Sequence, residues 1–203
     1  PKKMSQSGFM KRLLPELPQE YQDKFYKVGT RNVTLLTQAP TGSTATYISN
    51  IPTIQEEFGD ISTGIEPFFS WEYFRAGRLG VTKQVVKLAQ DYMDKHGLKS
   101  IDELPDYFAT AMDLTPQEHV DVQATIQKWT DSSISKTANC PEDFTIEDTN
   151  ELYMRGYDKG LKGITIYREN SRKAQVLATN KEDAKLESHI EAEKLKDMKV
   201  KKS

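Results

Sequence analysis

The sequence contains very little cysteine. Cys140 is the only cysteine among 203 residues. A lone thiol excludes a disulfide within the chain, a zinc site made of four thiolates and a Cys-x-x-Cys redox pair. Any chemistry that needs two thiols must therefore take the second one from another chain.

Long apolar runs are also missing. Hydrophobic residues make up 36% of the chain, charged residues 29%, and the mean hydropathy is −0.67. No stretch approaches the roughly 20 apolar residues that a membrane-spanning helix needs. The N-terminal residues lack the apolar segment and cleavage site of a signal peptide. We therefore expect a cytoplasmic chain that does not associate with a membrane.

Neither sign of charge dominates. The chain has 28 basic and 30 acidic residues and a formal net charge of −2. Such a chain has no overall field that would attract nucleic acid, so nucleic acid is not expected as a partner. Charge is concentrated near the C-terminus, where residues 179–203 contain seven lysines and six acidic residues. This composition predicts a charged tail that is flexible or partly helical.

Helical patterns alternate with short β-rich runs in the rest of the chain. This alternation is typical of α/β architecture. We expect an N-terminal lead-in over residues 1–17, an α/β domain over 18–178 and the charged tail over 179–203.

Apolar spacing, caps and β-branched residues predict the individual elements. The sequence Thr115-Pro116-Gln117-Glu118 combines a hydroxyl cap, a proline at the first helical position and a capping-box glutamate. It predicts a helix that runs to about Trp129. The other predicted helices cover 19–28, about 82–96 and 145–159, and the predicted strands cover 32–38, 65–74 leading into a loop, 132–137 and 163–167.

The segment after the first predicted strand has the components of an anion site. Residues 38–46 place a Pro-Thr-Gly turn and several hydroxyls before a possible helical turn. Free backbone N–H groups, a glycine and hydroxyl donors suit a bound anion. The spacing alone favours the alternative, a simple glycine turn with a Ser or Thr cap. The segment does not match the Walker pattern of P-loop ATPases.

Other candidate residues have simpler interpretations. The three histidines, His96, His119 and His189, lack the spacing of a metal site and are expected at the surface or at helix ends. Cys140 is expected to behave as a small buried apolar side chain. Glu66 lies in an apolar run, where a salt bridge or a helix cap is favoured over a general base.

Two arginines follow the last predicted strand. Arg168 and Arg172 lie where α/β folds place ligand contacts. Arg168 also has Glu169 beside it, so local pairing is the alternative interpretation.

Four sequence strings occur in an order that is specific enough to suggest a family. They are Arg31–Thr44, Ser62–Pro67, Asp131–Asn139 and Lys162–Arg172. Together they resemble the C-terminal part of the catalytic barrel of class II, adenosylcobalamin-dependent ribonucleotide reductases. The resemblance covers about residues 18–178.

The resemblance implies a fold and a binding loop. The fold would be the C-terminal portion of a ten-stranded α/β barrel built from two parallel five-stranded halves. The strand-to-turn element would hold the phosphates of a ribonucleotide substrate. The substrate-binding candidates are Ala39, Pro40, Thr41, Gly42, Ser43 and Thr44. Gly64–Pro67 matches a further family motif near the active site, without a specific role for Glu66.

The chain also departs from the family pattern. Reductases of this class need a thiyl-forming cysteine in an Asn-Pro-Cys-Gly-Glu-like loop and two further cysteines, and Cys140 lies outside any such loop. We expect the isolated chain to be inactive and to pair with an N-terminal reductase chain that carries these cysteines. Adenosylcobalamin would be shared with that partner or bound mainly by it.

The partial pattern of strands also indicates an incomplete fold. About four strands would leave an open parallel sheet with bare edges, and parallel sheets are normally covered. A partner chain would supply the cover.

The alternative function is a non-catalytic nucleoside-phosphate-binding or interaction module derived from a reductase. A class I large-subunit fragment is disfavoured, because the adjacent tyrosines of class I are replaced by Ile166-Tyr167.

Overall fold

The computed structural model describes residues 2–49, 51, 61–77 and 80–171. Within these residues the helices are α1 Gly8–Glu16, α2 Gln19–Val28, α3 Gly42–Ser49, α4 Lys87–His96, α5 Pro116–Gln127 and α6 Ile146–Asp158. The strands are β1 Glu72–Gly77, β2 Gly80–Val85, β3 Thr137–Cys140 and β4 Thr165–Arg168.

The chain divides into two compact units. Among the described residues, the first unit comprises 2–41, 64–66 and 114–168. The second comprises 42–49, 51, 61–63, 67–77, 80–113 and 169–171. Both motifs that the sequence places near a substrate, residues 39–44 and 64–67, are therefore divided between units.

The sheet of the first unit is parallel. β3 and β4 run side by side with Thr137 opposite Thr165 and Cys140 opposite Arg168, and helix α6 connects them. A parallel connection needs such a crossover element. Upstream of β3, Gln38 forms a parallel bridge with Ile134. Three segments of the chain thus run in the same direction in this unit.

The two helices beside this sheet start at capping boxes. The Thr115 hydroxyl caps α5 and Glu118 reaches back to Thr115, which confirms the sequence prediction. Thr145 and Asp148 form the same arrangement at the start of α6. A core of Val120, Ala138, Cys140 and Leu152 lies between these helices and the sheet.

A smaller helical layer belongs to the same unit. α1 and α2 bury Phe9, Met10, Leu14 and Phe25 together. The sequence predicts α2 at its observed bounds. The helix ends before Gly29, whose φ is 76°. Sequence analysis predicted no helix over α1, which begins at a Ser7 cap.

The second unit is built around an antiparallel hairpin and an aromatic cluster. β1 pairs with β2, with Glu72 opposite Val85. The Trp71 ring lies 4.4 Å from Phe68 and 5.1 Å from Phe108, and its indole N–H donates to the Phe108 carbonyl oxygen at 2.5 Å. Helix α4 follows the hairpin and buries Ala89 and Met93.

The predicted helix over about 82–96 is wrong in its N-terminal part. Residues 80–85 form strand β2, and the helix begins only at Lys87. β-Branched Val85 suits a strand, and pairing with β1 satisfies backbone groups that a helix would otherwise use.

The predicted strands are shifted along the chain. Residues 32–38 form a strand bridge only at Gln38, 132–137 give way to β3 at 137–140, and 65–74 give way to β1 at 72–77. The Asp131 carboxylate bonds the backbone N–H groups of Leu35 and Leu36, which removes them from a regular ladder. The last predicted strand is observed as β4, two residues later.

The observed architecture is mixed helix and strand, with parallel pairing in the first unit. Each sheet within the described residues has two strands. This arrangement is compatible with part of a barrel, and the ten-stranded barrel itself remains a prediction. Among the described residues, no helix has the length and apolar character needed to cross a membrane.

Candidate functional site

The Ala39–Thr41 turn leaves the sheet of the first unit directly after the bridge at Gln38. The backbone N–H of Ser135 donates to the Gln38 carbonyl oxygen at 3.0 Å, which holds the start of the turn. Ala39 and Pro40 are exposed, and Thr41 is half-buried. Thr41 has a φ of 62°, an uncommon conformation for a β-branched residue. Such a backbone persists only where its surroundings fix it.

Gly64 fixes this turn by close packing. A Cβ atom added to Gly64 would collide with Thr41 Oγ1 and lie 3.0 Å from the Pro40 carbonyl oxygen. Gly64 also has a φ of 75°, which favours glycine. The turn and the motif that begins at Gly64, which the sequence separates by more than 20 residues, therefore touch each other.

The other predicted phosphate-binding residues lie in the second unit. Gly42, Ser43 and Thr44 form the first turn of helix α3. Thr44 is exposed, and the side chain of Ser43 lies outside the described part of the chain. A Cβ added to Gly42 would meet nothing within 4 Å, so this glycine is not required by local packing.

Glu66 joins the 64–66 turn to strand β3. Its Oε1 accepts a hydrogen bond from the Thr137 backbone N–H at 2.7 Å. Its Oε2 lies 3.0 Å from Lys136 Nζ. This confirms the salt bridge that the sequence favoured for Glu66, with a partner that the sequence did not identify.

Lys136 is buried and fully used as a donor. Its side chain is 2% exposed. Besides Glu66, its ammonium group contacts His119 Nδ1 at 2.9 Å and donates to the Thr137 carbonyl oxygen at 3.0 Å. A protonated lysine has three N–H donors, so these three contacts account for all of them. Burial of a charge is tolerated only with such compensation.

Of the two positions expected for His119, the surface is wrong and the end of a helix is observed, because His119 lies in the first turn of α5. His119 lies in α5 and is 1% exposed. It belongs to a buried polar row at four-residue spacing, followed by Gln123 and Gln127. The Gln123 amide donates to the carbonyl oxygens of Ile134 and Gly163. Three polar residues spaced by four in a predicted helix were the available signal for this row.

Gln127 continues the row toward the loop before β3. Its amide nitrogen donates to the carbonyl oxygens of Thr130 and Ser132, both at 2.9 Å. Its Oε1 is the buried polar side-chain atom without a partner in the described part of the chain. Gln123 and Gln127 of α5 therefore hold the backbone of residues 130–134.

Asp131 holds the segment that leads into the Ala39–Thr41 turn. Its two carboxylate oxygens accept from the backbone N–H groups of Leu35 and Leu36, each at 2.6 Å. Lys162 donates to the Asp131 carbonyl oxygen. Burial opposes ionisation of Asp131, but the Leu36 and Leu35 hydrogen bonds outweigh it and keep the pKa below its ordinary value.

Cys140 is placed for packing rather than for reaction. It is completely buried at the end of β3, and its thiol faces the Ala138 carbonyl oxygen at 3.6 Å. Burial raises the pKa of the Cys140 thiol to about 11. A neutral, enclosed thiol is a poor nucleophile. This confirms the expectation of a small buried side chain.

The other candidates contribute no site within the described residues. His96 is the last residue of α4, as expected, and stacks on Tyr92 at 4.2 Å. Arg168 is the exposed last residue of β4. His189 and Arg172 lie outside the described residues. The described residues contain no group of three potential metal ligands.

The first unit thus combines the Ala39–Thr41 turn, which packs against Gly64, with the buried ion pair of Glu66 and Lys136. It is an α/β unit in which a turn follows the end of a strand, the place where α/β folds commonly bind ligands.

Comparison with known proteins identifies the family. Residues 9–167 match the family described as "Ribonucleotide reductase, barrel domain". The chain belongs to this family, as its four motifs suggested.

The relatives are much longer proteins. A "Vitamin B12-dependent ribonucleoside-diphosphate reductase" of Mycobacterium tuberculosis (strain CDC 1551 / Oshkosh) is 32% identical over 73% of this chain and 23% of its own length. A protein of the same name from Thermoplasma acidophilum is 31% identical over 83% of this chain and 23% of its own length. The chain therefore spans about a quarter of these curated relatives.

A third relative carries a slightly different name. The "Vitamin B12-dependent ribonucleotide reductase" of Streptantibioticus cattleyicolor is 35% identical over 58% of this chain and 21% of its own length. The match again covers only a small part of the relative.

Proposed function

We propose that this chain is the C-terminal part of a vitamin B12-dependent ribonucleotide reductase and that it binds the phosphates of the ribonucleotide. The phosphate-binding residues would be Ala39, Pro40, Thr41, Gly42, Ser43 and Thr44. The radical cysteine and its two partners would lie on an N-terminal reductase chain. The observation that carries the proposal is the packing of Gly64 against Thr41 and Pro40. Within the first unit it brings residues from two of the four sequence motifs into contact.

The chemistry of the turn suits an anion. Ala39–Thr41 form an exposed turn in the first unit, and Gly42–Thr44 begin a helix in the second. Backbone N–H groups at the start of a helix have no intrahelical partner and favour negative charge. Hydroxyl groups of threonine add further donors. These features support phosphate binding over the simple capped turn.

Several observations support a partner for this chain. Its one cysteine is buried and has a raised pKa, which supports a radical cysteine and a dithiol on another chain. Val33, Leu35 and Leu36 are between 50% and 88% exposed in the segment that leads into the turn. Apolar side chains next to a sheet edge are normally covered. The remaining three quarters of a full-length reductase would provide that cover.

The two cavities described for this chain are smaller than adenosylcobalamin. Cavities of about 500 Å³ near Glu72 and Lys83 and about 460 Å³ near Phe9 and Lys162 are of the size that holds drug-sized ligands. A corrinoid with its nucleotide arm is considerably larger. The cofactor would therefore be bound mainly by the partner, and it would supply the radical chemistry there.

The catalytic contribution of this chain would be positioning. Fixing the phosphates orients the ribose against the reactive group of the partner. Holding two reactants in a productive geometry removes much of the entropic barrier to their reaction. The residues of this chain would bind and orient the substrate, without exchanging protons or electrons with it.

Reconstitution tests the proposal. The isolated chain should show no reductase activity, and activity should appear on addition of the N-terminal chain, adenosylcobalamin and a dithiol. Calorimetric titration with cytidine diphosphate, with and without the N-terminal chain, gives a second readout. Activity of the isolated chain would contradict the proposal. Tight binding to the isolated chain without any reconstituted activity would instead favour a free-standing nucleotide-binding module.

A further inference from the structure

The buried ion pair of Glu66 and Lys136 has no role in the function proposed above. We propose that Glu66, Lys136 and His119 form a charged clamp that sets the position of the Pro40–Thr41 turn. They would act as positioning residues for the substrate phosphates. The consequence for substrate rests on the proposed function, since it assumes that this turn binds phosphate.

The cost of burying these charges points to a geometric role. Lys136 is 2% exposed and Glu66 15% exposed. Removing two charges from water costs so much that an apolar pair of similar volume is often at least as stable. A buried pair is therefore a poor source of stability. It does impose directional contacts, and these fix the relative positions of the segments that carry it.

The contacts of the clamp span three segments of the first unit. Glu66 closes the 64–66 turn, Lys136 immediately precedes β3, and His119 lies in α5. The Glu66 carboxylate accepts hydrogen bonds from Lys136 Nζ, at 3.0 Å, and from the Thr137 backbone N–H, at 2.7 Å. The 64–66 turn is thus fixed to the sheet by a carboxylate that uses both of its oxygens.

The clamp is connected to the Pro40–Thr41 turn through Gly64. Gly64 lies two residues before Glu66 and has no space for even a Cβ atom beside Thr41. A shift of Glu66 moves Gly64, and Thr41 must then move or lose this packing. Thr41 already has a left-handed backbone, with a φ of 62°, which depends on its surroundings.

The clamp also determines which ring nitrogen of His119 carries the proton. Each donor of the Lys136 ammonium group is directed at an acceptor, and His119 Nδ1 is one of them, at 2.9 Å. His119 Nδ1 must therefore accept, which places the ring proton on Nε2. A proton on Nδ1 would set two donors against each other. The tautomer is measurable without any nucleotide.

Two variants separate positioning from simple stability. Glu66→Gln keeps the size of the side chain and an acceptor for Thr137 but leaves the Lys136 charge unpaired. The double variant Glu66→Gln/Lys136→Met removes that unpaired charge and should recover stability. Glu72→Gln is the matched control, because it breaks the partly exposed pair between Glu72 and Lys83 in the other unit.

NMR of the full chain reports the Thr41 amide resonance and the protonation of the His119 ring nitrogens. Calorimetry with the N-terminal chain present reports the affinity for cytidine diphosphate. We expect an unprotonated His119 Nδ1 in the wild-type chain. In Glu66→Gln the Thr41 resonance should move and the affinity should fall by about tenfold. Both defects should persist in the stable double variant and be absent in Glu72→Gln.

Several results would overturn the clamp. They are an unmoved Thr41 resonance in Glu66→Gln, a proton on His119 Nδ1, or recovery of affinity in the double variant together with its stability. Failure of the proposed function has a different outcome. The wild-type complex would then not bind cytidine diphosphate, while the Thr41 and His119 resonances would still test the clamp.

Discussion

Lys136 and Glu66 face each other inside the first unit, with the ammonium nitrogen 3.0 Å from a carboxylate oxygen and the lysine side chain only 2% exposed. Neither residue is near the other in sequence, since 69 positions lie between them. The pair links the turn after Gly64 to strand β3, and the energetics of a buried charge make this link testable.

Breaking the buried pair should be much more costly than breaking a surface pair. Glu66→Gln leaves the Lys136 charge buried without a counter-charge, and we expect it to lower the free energy of unfolding by about 3–5 kcal/mol. Glu72→Gln removes one partner of a partly exposed pair and should cost less than about 1 kcal/mol. Urea unfolding measures both. Equal losses in the two variants would show that Lys136 is solvated.

The close packing of Gly64 predicts a specific loss of binding. Gly64→Ala introduces a Cβ that collides with Thr41, and we expect the affinity of the reconstituted enzyme for cytidine diphosphate to fall at least about tenfold. Gly160→Ala is the control. Gly160 has a similar φ, 79° against 75°, but a Cβ there meets nothing within 4 Å.

Comparing the two glycine variants separates backbone strain from the clash. Both should lose some stability, because alanine is disfavoured at positive φ. Only Gly64→Ala should lose affinity in the calorimetric titration. Unchanged affinity in Gly64→Ala would mean that the turn does not hold the phosphates in the position observed.

The buried thiol predicts a pH dependence at alkaline pH. The pKa of Cys140 is about 11 in the folded chain, and an unfolded cysteine has a pKa near 8.5. Between these values only the unfolded chain releases the thiol proton. Stability should therefore be unaffected by this group below about pH 8.5 and should fall as the pH rises toward about 11.

Cys140→Ala provides the comparison for this effect. The variant loses some packing at every pH, but its free energy of unfolding should decrease less steeply than that of the wild type over the alkaline window. Urea unfolding at several pH values measures the two slopes. Parallel slopes would show that the folded thiol titrates normally.

The exposed apolar segment before the turn predicts where a partner binds. Val33 is 88% exposed, and Leu35 and Leu36 are about half exposed. We expect backbone amide hydrogen exchange over residues 33–36 to slow by about tenfold or more when the N-terminal chain is added. Helix α2 is the internal control. Slowing over α2 but not over 33–36 would place the contact elsewhere.

The predictable parts of the fold had local causes. The capping box at Thr115 and Glu118 defined the start of α5, because both partners lie within one turn of helix. Helix α2 was likewise bounded by Pro18 and Gly29. The four sequence strings from Arg31 to Arg172 suggested the family from residue order alone.

The unpredicted parts depend on contacts between distant segments. Residues 80–85 became a strand because β1 pairs with them, and 35–36 left a regular ladder because the Asp131 carboxylate bonds their amides. Pairing across the fold outweighs local propensity, which is small per residue. No local pattern announces such a partner.

The sequence by itself determined the family, the lone cysteine and the position of the candidate turn, since these depend only on which residues follow one another. The tertiary structure decided that Gly64 packs against Thr41 and that Lys136 is buried against Glu66 and His119. Burial and the pairing of charges are properties of surroundings, and only the folded chain brings those surroundings together.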